Sequence, residues 1–171
     1  MDVRRDLVVN TLAAQHWFPP RLRYRVLRWY GIDVASNSLT AGSCFFGSAQ
    51  VTIGDGTFLN VGCFLDGAGA IRIGERCNIG MEAMLCTSHH EVGPSERRAE
   101  LPTEGRDVEI GNGCWLGARV TVLPGVRIAP GCVIAAGSLV TKHTDPDGLY
   151  AGAPAVRVRD LVASGSKTPA S

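Results

Sequence analysis

The sequence has no excess of charge of either sign and no long apolar run. Its 17 basic and 16 acidic residues leave a formal net charge of +1, which gives the whole chain no electrostatic case for binding nucleic acid or an anionic membrane. No segment approaches the roughly 18 consecutive apolar residues that a membrane-spanning helix needs. We therefore expect a protein that binds no nucleic acid and is not inserted in a membrane.

The sequence also lacks the patterns of a secretory signal peptide and of a disulfide framework. Asp6 interrupts the amino-terminal stretch, which has no continuous apolar core. With neither a signal peptide nor a membrane span in the pattern, we expect a cytoplasmic protein. The cysteines include no C-x-x-C pair, and in a reducing compartment we expect them to be small buried hydrophobic residues. The six are Cys44, Cys63, Cys77, Cys86, Cys114 and Cys132.

What the chain does contain is a repeat of six residues. From Ile53 it reads IGDGTF, LNVGCF and LDGAGA, and after a slip of two residues IGERCN, IGMEAM and LCTSHH. From Ile110 it reads IGNGCW, LGARVT, VLPGVR, IAPGCV and IAAGSL. An aliphatic residue opens each unit, and a small residue usually takes the fifth place. Such self-similarity over about ninety residues indicates a repeat architecture.

Each unit has room for one short strand and one tight turn. Triplets such as Val51–Ile53, Val108–Ile110 and Val126–Ile128 place their outer residues inward and their middle residue outward. The three residues that remain form a turn, and this spacing is too short for a sandwich of hairpins. A chain that bends this often winds as a solenoid whose strands pair in parallel with those of the next coil. We therefore predict an all-β solenoid.

A helical cap is predicted before the repeat, at residues 1–31. Helical character runs from Asp2 to Trp17 and from Arg21 to Tyr30, with two prolines between the stretches. Such a cap would cover the open end of the solenoid. A basic cluster in the second stretch is expected to form a solvated helix face, and it consists of Arg21, Arg23, Arg25 and Arg28.

The remaining segments are the solenoid itself, one loop and a tail. The solenoid is predicted to span 32–161. A polar loop at 90–107 interrupts the repeat at one corner, where an insertion leaves the ladder undisturbed. Residues 162–171 have the composition of a disordered tail.

Several motifs, taken with the repeat, resemble those of the hexapeptide-repeat acyltransferases. They are Thr87-Ser88-His89-His90, C-W-L-G-A from Cys114, A-A-G-S from Ala135, V-T-K-H from Val140 and A-G-A-P-A from Ala151. Over roughly residues 51 to 160 the chain is similar to the sugar O-acetyltransferases of the maltose and galactoside type. The resemblance implies a left-handed parallel β-helix, acetyl-CoA as donor, and a homotrimer with active sites between neighbouring subunits.

His89 matches the catalytic histidine of that family in the motif Thr87-Ser88-His89. An acceptor hydroxyl has a pKa far above neutrality, so it needs a base to remove its proton as it attacks a thioester, and imidazole titrates near neutral pH. The resemblance therefore implies that His89 is the general base. The alternative is a solvated histidine that merely ends a coil.

Three residues are predicted on the acceptor side. Asn60 and Asp66 lie in a segment that resembles the acceptor-binding segment of the sugar enzymes, although their spacing departs slightly from the usual pattern. An amide and a carboxylate suit the recognition of hydroxyl groups, but either residue could instead have a structural role. His90 is a third candidate, with an exposed loop position as its alternative. Arg97 and Arg98 in the loop are candidates for the pocket wall or for a solvated pair.

The donor side is also predicted by resemblance. The family uses a backbone N–H near the W-L-G-A turn to stabilise the oxyanion, which corresponds to Gly117 or Ala118. Trp115 either forms a wall of the site or packs at a coil corner. Further coenzyme-contacting positions match Ala136, Thr141 and Lys142.

One departure from the family concerns the coenzyme phosphates. After G-A-P-A the family usually has Arg or Lys, whereas this chain has Val156. We expect Arg159, and after it Arg157, to take that role. No metal is expected to be required for catalysis.

The hypothesis is thus an acetyl-CoA-dependent O-acetyltransferase acting on a sugar or a glycosylated small molecule. One alternative is a non-catalytic solenoid used as a scaffold, and another is an acyltransferase with an amine acceptor or a carrier-protein donor. A zinc-dependent carbonic anhydrase on the same fold needs three histidines around the metal. It is disfavoured, because His89, His90 and His143 include two adjacent residues, which diverge on a strand.

Overall fold

The computed structural model describes residues 3–101 and 103–161, and these form a parallel β-solenoid behind a short helical cap. The chain turns after each short strand and passes over three sheets in succession, so that each strand pairs with the strands one coil away. The predicted all-β solenoid is confirmed. The predicted tail at 162–171 lies outside the described residues.

We name the three sheets faces A, B and C, in the order in which each coil visits them. Face A contains β1 (Asp33–Val34), β4 (Val51–Ile53), β7 (Ile71–Ile73), β12 (Val108–Ile110) and β15 (Arg127–Ile128). Face B contains β2 (Leu39–Thr40), β5 (Phe58–Leu59), β8 (Asn78–Ile79), β13 (Trp115–Leu116), β16 (Val133–Ile134), β18 (Gly148–Gly152) and β19 (Ala155–Asp160). Face C contains β3 (Phe45–Phe46), β6 (Phe64–Leu65), β9 (Met84–Leu85), β14 (Thr121–Val122) and β17 (Leu139–Val140). A separate ladder joins β10 (Ser88–His89) to β11 (Glu104–Gly105).

In each strand, inward and outward side chains alternate as the repeat predicts, and the inward ones form the core. In β4, Val51 and Ile53 are buried and Thr52 is exposed, and the triplet around Arg127 follows the same rule. In β12 the outer residues are buried and the middle residue, Glu109, is half-buried. Adjacent coils are in register, since β4 pairs with β7 over all three residues. Burial of each aliphatic side chain contributes about 1.5–3 kcal/mol relative to exposure, and stacking the coils makes this core continuous.

The small residues at the fifth place of the repeat are buried at the corners. They are Thr57, Cys63, Cys77, Ala83, Cys114, Val120, Val126, Cys132 and Ser138. The cysteines are free thiols, all buried except for the half-buried Cys86. Their sulfurs bond to backbone carbonyls at the corners, as in the hydrogen bond of 3.2 Å from Cys114 Sγ to the Ala129 oxygen. The prediction of buried, unpaired cysteines is thus confirmed for five of the six.

The cap is helical over shorter stretches than predicted. Its first stretch is α1 (Val3–Asp6), which continues as a π-helix over Leu7–Leu12 and ends well before Trp17. The second is α2 (Pro20–Trp29), whose first residue is a proline because the first helical position needs no N–H donor. No helix in the described ranges is both long and apolar enough to cross a bilayer.

Arg23 anchors the cap to the first coil, contrary to the predicted solvated position. Its guanidinium is buried and donates to the backbone carbonyls of Ala13, Gln15, Phe18 and Thr40. A planar group with five donors suits several carbonyls at once, so a buried arginine is satisfied here without a carboxylate. The solvated-face prediction is correct for the other three arginines of the cluster, which are exposed.

The outward-facing side chains differ between the faces. Face A presents a polar row, which consists of Asp33, Thr52, Arg72, Glu109 and Arg127. Face C presents a largely apolar row, which consists of Phe45, Phe64, Met84, Thr121 and Leu139. Within that row the rings of Phe45 and Phe64 stack, with centroids 4.8 Å apart. Face A is therefore suited to solvent, whereas face C carries an unpartnered apolar stripe.

Candidate active site

The predicted site residues fall on two corners of the solenoid. We call the turn between face C and face A the histidine corner; it carries residues 66–70, 86–90 and 141–143. The turn between face B and face C is the alanine corner; it carries residues 117–120 and 135–138. Face C separates the two corners within one chain, so each corner is described separately.

At the histidine corner the chain leaves the solenoid as a hairpin. His89 pairs with Glu104 and Ser88 with Gly105 in an antiparallel ladder, and the first strand of the next coil begins at Val108. Where the chain re-enters, a Cβ at Gly105 would collide with the carbonyl of Ala68, so only glycine allows this approach. The predicted loop therefore exists, and its ends are held in register by main-chain hydrogen bonds.

Asp66 holds the turn that leads into His89. Its carboxylate accepts hydrogen bonds from the N–H groups of Thr87 (3.0 Å) and Ser88 (2.6 Å) through one oxygen, and from the Gly67 N–H (2.7 Å) through the other. The Thr87 side chain, fully buried, accepts a hydrogen bond of 3.1 Å from the Ala68 N–H. Desolvation raises the pKa of Asp66, but the hydrogen bonds from Ser88 and the backbone outweigh it, and the pKa lies below its ordinary value.

Because its pKa is lowered in the folded state, the Asp66 carboxylate stabilises the fold above its unfolded pKa of about 3.9, and this contribution is lost as the pH falls through the folded pKa. We expect Asp66→Asn to lower the free energy of unfolding by about 2 kcal/mol near pH 7. The difference from wild type should shrink as the solution is acidified below about pH 4. Chemical denaturation over this pH range measures it. Asp55→Asn, at an exposed turn, is the matched control, and a loss that is independent of pH would contradict the assignment.

The His89 imidazole lies at the end of a short chain of charged groups. Its side chain is 31% exposed, and Nε2 lies 3.3 Å from Glu91 Oε1. The same Glu91 oxygen accepts a hydrogen bond of 2.8 Å from Arg106, which also lies 3.5 Å from a carboxylate oxygen of Glu104. A carboxylate in contact with an imidazole can fix the orientation of the ring. Glu91 and Arg106 were not among the candidates from the sequence, because their meeting depends on the hairpin.

The side chain of His90 contacts other residues of the hairpin. Its Nδ1 lies 2.7 Å from the Glu100 carbonyl, and its Nε2 lies 3.4 Å from the Thr103 hydroxyl. A carbonyl only accepts, so Nδ1 donates this hydrogen bond to Glu100. His90 thus braces the two arms of the hairpin against each other. Arg97 and Arg98 are exposed near its tip.

The alanine corner borders a groove of about 480 Å³ on face B. Trp115, 57% exposed on β13, forms one wall. The predicted residues in the lining are Asn60, Gly117, Ala118 and Ala136. Small residues are required here because the coils touch: a Cβ at Gly117 would lie 2.6 Å from the Ala136 nitrogen. Asn60, predicted for the acceptor, therefore lies with the donor-side residues, and its side chain accepts from the Val61 N–H at 2.8 Å.

The two candidates for an oxyanion donor differ in their hydrogen bonds. The Gly117 N–H donates to the Ile134 carbonyl at 2.8 Å. Within the part of the chain that the structure describes, the N–H of Ala118 donates to no residue, although its carbonyl accepts from Gly137. A donor that is already bonded within the ladder cannot serve a ligand. The geometry therefore leaves Ala118, rather than Gly117, able to donate into the groove.

The remaining coenzyme candidates lie elsewhere. Thr141 and the exposed Lys142 follow face C and lie on the histidine corner. Arg157 is bound locally: it pairs with Asp160 at 2.7 Å, and it bonds the Tyr150 hydroxyl at 3.2 Å. The hydrogen bonds that the guanidinium donates to the Tyr150 hydroxyl and to the Asp160 carboxylate raise the pKa of Arg157 above its ordinary value. Arg159 is exposed and contacts no described residue through an ion pair or a side-chain hydrogen bond, so it is the arginine available to a phosphate.

A metal centre has no support from the described geometry. Among residues 3–101 and 103–161, no three or more His, Cys, Asp or Glu side chains are grouped so as to hold an ion.

Comparison with known proteins gives the family. The family model described as Bacterial transferase hexapeptide (six repeats) matches residues 107–142. The galactoside O-acetyltransferase of Lactococcus lactis is 38% identical over 124 residues, which make up 72% of this chain and 59% of that protein. The chain spans between half and two thirds of the length of the curated relatives that it matches.

Solved structures agree with the fold over most of the chain. A hexapeptide-repeat-containing acetyltransferase from Vibrio cholerae is 30% identical with a TM-score of 0.78, over 94% of this chain and 88% of that one. An acetyltransferase of this kind from Vibrio cholerae O1 biovar eltor, 30% identical, was solved with acetyl coenzyme A; its TM-score is 0.72, over 94% of this chain and 85% of that one. A galactoside acetyltransferase in complex with coenzyme A is 25% identical with a TM-score of 0.84, over 94% of this chain and 80% of that one.

The coiled repeat, the histidine at the root of an inserted hairpin and the agreement with these proteins lead to one conclusion: the chain belongs to the hexapeptide-repeat acetyltransferases.

Proposed function

We propose that the protein transfers the acetyl group of acetyl-CoA to a hydroxyl group of a sugar or a glycosylated small molecule, with His89 as general base. The observation that carries the proposal is that hydrogen bonds hold the backbone around His89 in place. The turn before it is held by the Asp66 carboxylate, and the strand that contains it is paired with the returning arm of the hairpin. A base must be positioned as well as available, and the hydrogen bonds that hold this corner support that role for His89.

The chemistry is a single acyl transfer. The imidazole of His89 takes the proton of the acceptor hydroxyl while that oxygen attacks the thioester carbonyl. The tetrahedral intermediate then expels the coenzyme thiolate, which takes the proton from the imidazolium, so the base is regenerated. General-base assistance is worth about 10² to 10⁴ in rate. Glu91 can fix the orientation of the ring through the contact of 3.3 Å.

The oxyanion of the intermediate is assigned to the N–H of Ala118. This N–H has no acceptor among the described residues and borders the groove beside Trp115. A backbone donor aimed at a developing oxyanion contributes about 10² to 10³ in rate. On this reading the pantetheine arm follows the groove on face B, past Ala136 on the next coil.

The position of these groups favours an active site shared between copies of the chain. His89, Thr141 and Lys142 lie on the histidine corner, whereas Ala118 and Ala136 lie on the alanine corner. The apolar width of face C lies between them, so one chain does not bring the base to the donor groove. A ring of three copies with face C turned inward would place the histidine corner of one copy beside the alanine corner of the next. It would also cover the apolar stripe on face C.

In the same arrangement we infer a role for each of the other candidate residues. Lys142 and Arg159 are exposed cations suited to the coenzyme phosphates, with Arg159 in the role that Val156 cannot take. Arg157 is the weaker candidate, because its guanidinium is bound by Asp160 and Tyr150. Asn60 would face the acceptor from the neighbouring copy, whereas Asp66 and His90 act on the acceptor side by fixing His89 and the hairpin. We place the reaction in the cytoplasm, the compartment that the cysteine usage favours.

The experiment is a measurement of thiol release from acetyl-CoA in the presence of separate panels of neutral sugars and amino sugars. We expect release that depends on neutral hydroxylated acceptors, with the mass of one acetyl group added to the product. If only the amino sugars are acetylated, at their amino groups, the acceptor is an amine and the proposed hydroxyl acceptor is wrong. No binding of acetyl-CoA in a calorimetric titration would favour the carrier-protein or scaffold alternatives.

A further inference from the structure

The charge of the chain is divided unevenly between the cap and the solenoid. Residues 1–31 contain six arginines and two aspartates, a formal charge of +4. Residues 32–171 contain eleven basic and fourteen acidic residues, a formal charge of −3. The net charge of +1 therefore conceals a basic end, and the structure places that end on the first coil, where α2 packs against β1 and β2.

The outer face of α2 combines cations with large apolar groups. Arg21, Arg25 and Arg28 recur at helical spacing and are exposed. Leu22 and Trp29 follow on the adjoining stripe of the same face, and Trp29 is 85% exposed. Arg23 and Leu27, which are buried, mark the opposite side of the helix. This helix thus exposes one row of arginines and, beside it, one row of apolar side chains.

The apolar row continues onto the neighbouring helical stretch. A groove of about 310 Å³ between the two stretches is lined by Val8, Arg25, Val26, Trp29 and Tyr30. Large apolar side chains on the rest of the cap are also exposed, and they include Leu7, Leu12 and Trp17. Leaving this much apolar surface in water is unfavourable, which indicates a partner for the cap.

Within residues 3–31 no carboxylate compensates these three arginines. None of Arg21, Arg25 and Arg28 forms an ion pair with a described residue; Arg25 instead lies over the ring of Tyr24 at 5.9 Å. Asp6, the acidic residue within 3–31, is paired with Arg5 at 3.0 Å and is largely covered. The surface is therefore positive as well as apolar, and its complement is an anionic surface into which aromatic rings can partition.

We propose that the cap binds an anionic lipid surface, with α2 lying in the plane of the headgroups. Arginines bind the phosphates while Trp29 and Leu22 enter the boundary between headgroups and acyl chains, as in other interfacial amphipathic helices. A helix of ten residues is too short to span a bilayer and long enough to lie on one. Nucleic acid is a poorer complement, because the apolar row would remain in water.

Binding in this way leaves the candidate active site accessible. The cap covers one end of the solenoid, whereas the histidine and alanine corners lie along its sides. In the ring proposed above, three caps lie at the same end, so three weak attachments act together. The inference about lipid does not depend on the acetyl-transfer proposal, and it is tested without substrates.

The test is flotation of the full-length protein with vesicles of phosphatidylcholine, with and without phosphatidylglycerol. We expect binding to the anionic vesicles, weaker binding to the neutral ones, and a decrease with added salt. Each arginine near an anionic surface strengthens binding by about fivefold, so the triple variant R21Q/R25Q/R28Q should bind about a hundredfold more weakly. Trp29→Ser should weaken binding even where salt has screened the charges.

The matched control removes three exposed arginines from the coils, as R76Q/R119Q/R127Q, and should bind as the wild type does. Thermal denaturation checks that both triple variants are folded. Equal binding by the wild type and the cap variants, or binding to neither kind of vesicle, would overturn the proposal. The cap face would instead be assigned to a second copy of the chain if two results were obtained together. The wild type would not bind vesicles, and Trp29→Ser would have a lower mass than the wild type in light scattering.

Discussion

His89→Ala is expected to lower kcat for acetyl transfer by at least about a hundredfold while leaving the affinity for acetyl-CoA close to that of the wild type. The base acts on the acceptor proton in the transition state, so its loss affects the rate constant rather than donor binding. The donor groove lies on the alanine corner, which the substitution does not touch. Steady-state kinetics and a calorimetric titration with acetyl-CoA measure the two quantities separately.

The matched control for this variant is His143→Ala. His143 is exposed near the same corner, and its Nδ1 accepts a hydrogen bond of 3.0 Å from the Arg127 N–H. We expect it to keep most of the activity. A near-normal kcat for His89→Ala would end the assignment of the base.

The second large effect is expected from Phe64→Glu on face C. In a single chain this outward position tolerates a carboxylate, at the cost of the stacking contact with Phe45. In the proposed ring the three carboxylates would meet on the inward face, and an uncompensated buried charge costs about 3–5 kcal/mol. We expect the proposed trimer to dissociate into folded monomers and the activity to fall by at least about a hundredfold. Analytical ultracentrifugation gives the mass, and circular dichroism gives the fold.

Thr52→Glu is the control for this variant, since it introduces the same charge at an outward position of the same coil on the polar face A. It should retain mass and activity. A Phe64→Glu protein that stays trimeric, or a monomer with full activity, would show that face C does not carry the assembly on which the site depends.

Mixed rings test the shared site directly. His89→Ala lacks the base, and Ala118→Trp should block the donor groove, so each variant alone should be inactive. Any mixed ring of three contains one junction with both an intact histidine and an intact groove, so random mixing should restore about a quarter of the sites. Recovery at this level supports a shared site. Mixed rings that stay inactive would place the complete site within one chain.

The fold was predictable from the repeat. Periodic aliphatic residues and small corner residues leave a chain few ways to bury them, and a solenoid is the one that reuses the same turn. Thr52, predicted outward, and Cys114, predicted inward, are both placed as the period requires. The length of the first helix was overestimated, because composition does not show where the chain must turn to reach the first coil.

The chemistry at the site was only partly predictable. A motif identified His89, but the roles of Asp66 and His90 depend on which backbone groups the fold brings to them. Asp66 lies one coil away from the Thr87–Ser88 turn, and no local pattern shows that separation in space. Arg23 illustrates the same limit. It is one of several arginines in a basic cluster, and nothing in the sequence distinguishes it from them, yet its side chain is buried against backbone carbonyls.

The coil and its core could be inferred from the sequence alone, because they follow from a period that is local in the chain, and a local motif likewise supplied His89 as the candidate base. Tertiary structure alone decided that the Ala118 N–H is unbonded among the described residues while that of Gly117 is used, and that Glu91 faces His89. It also decided that His89 and the groove lie on opposite edges of face C. These relations join residues tens of positions apart, and their distances are set by the stacking of coils and by the path of the hairpin.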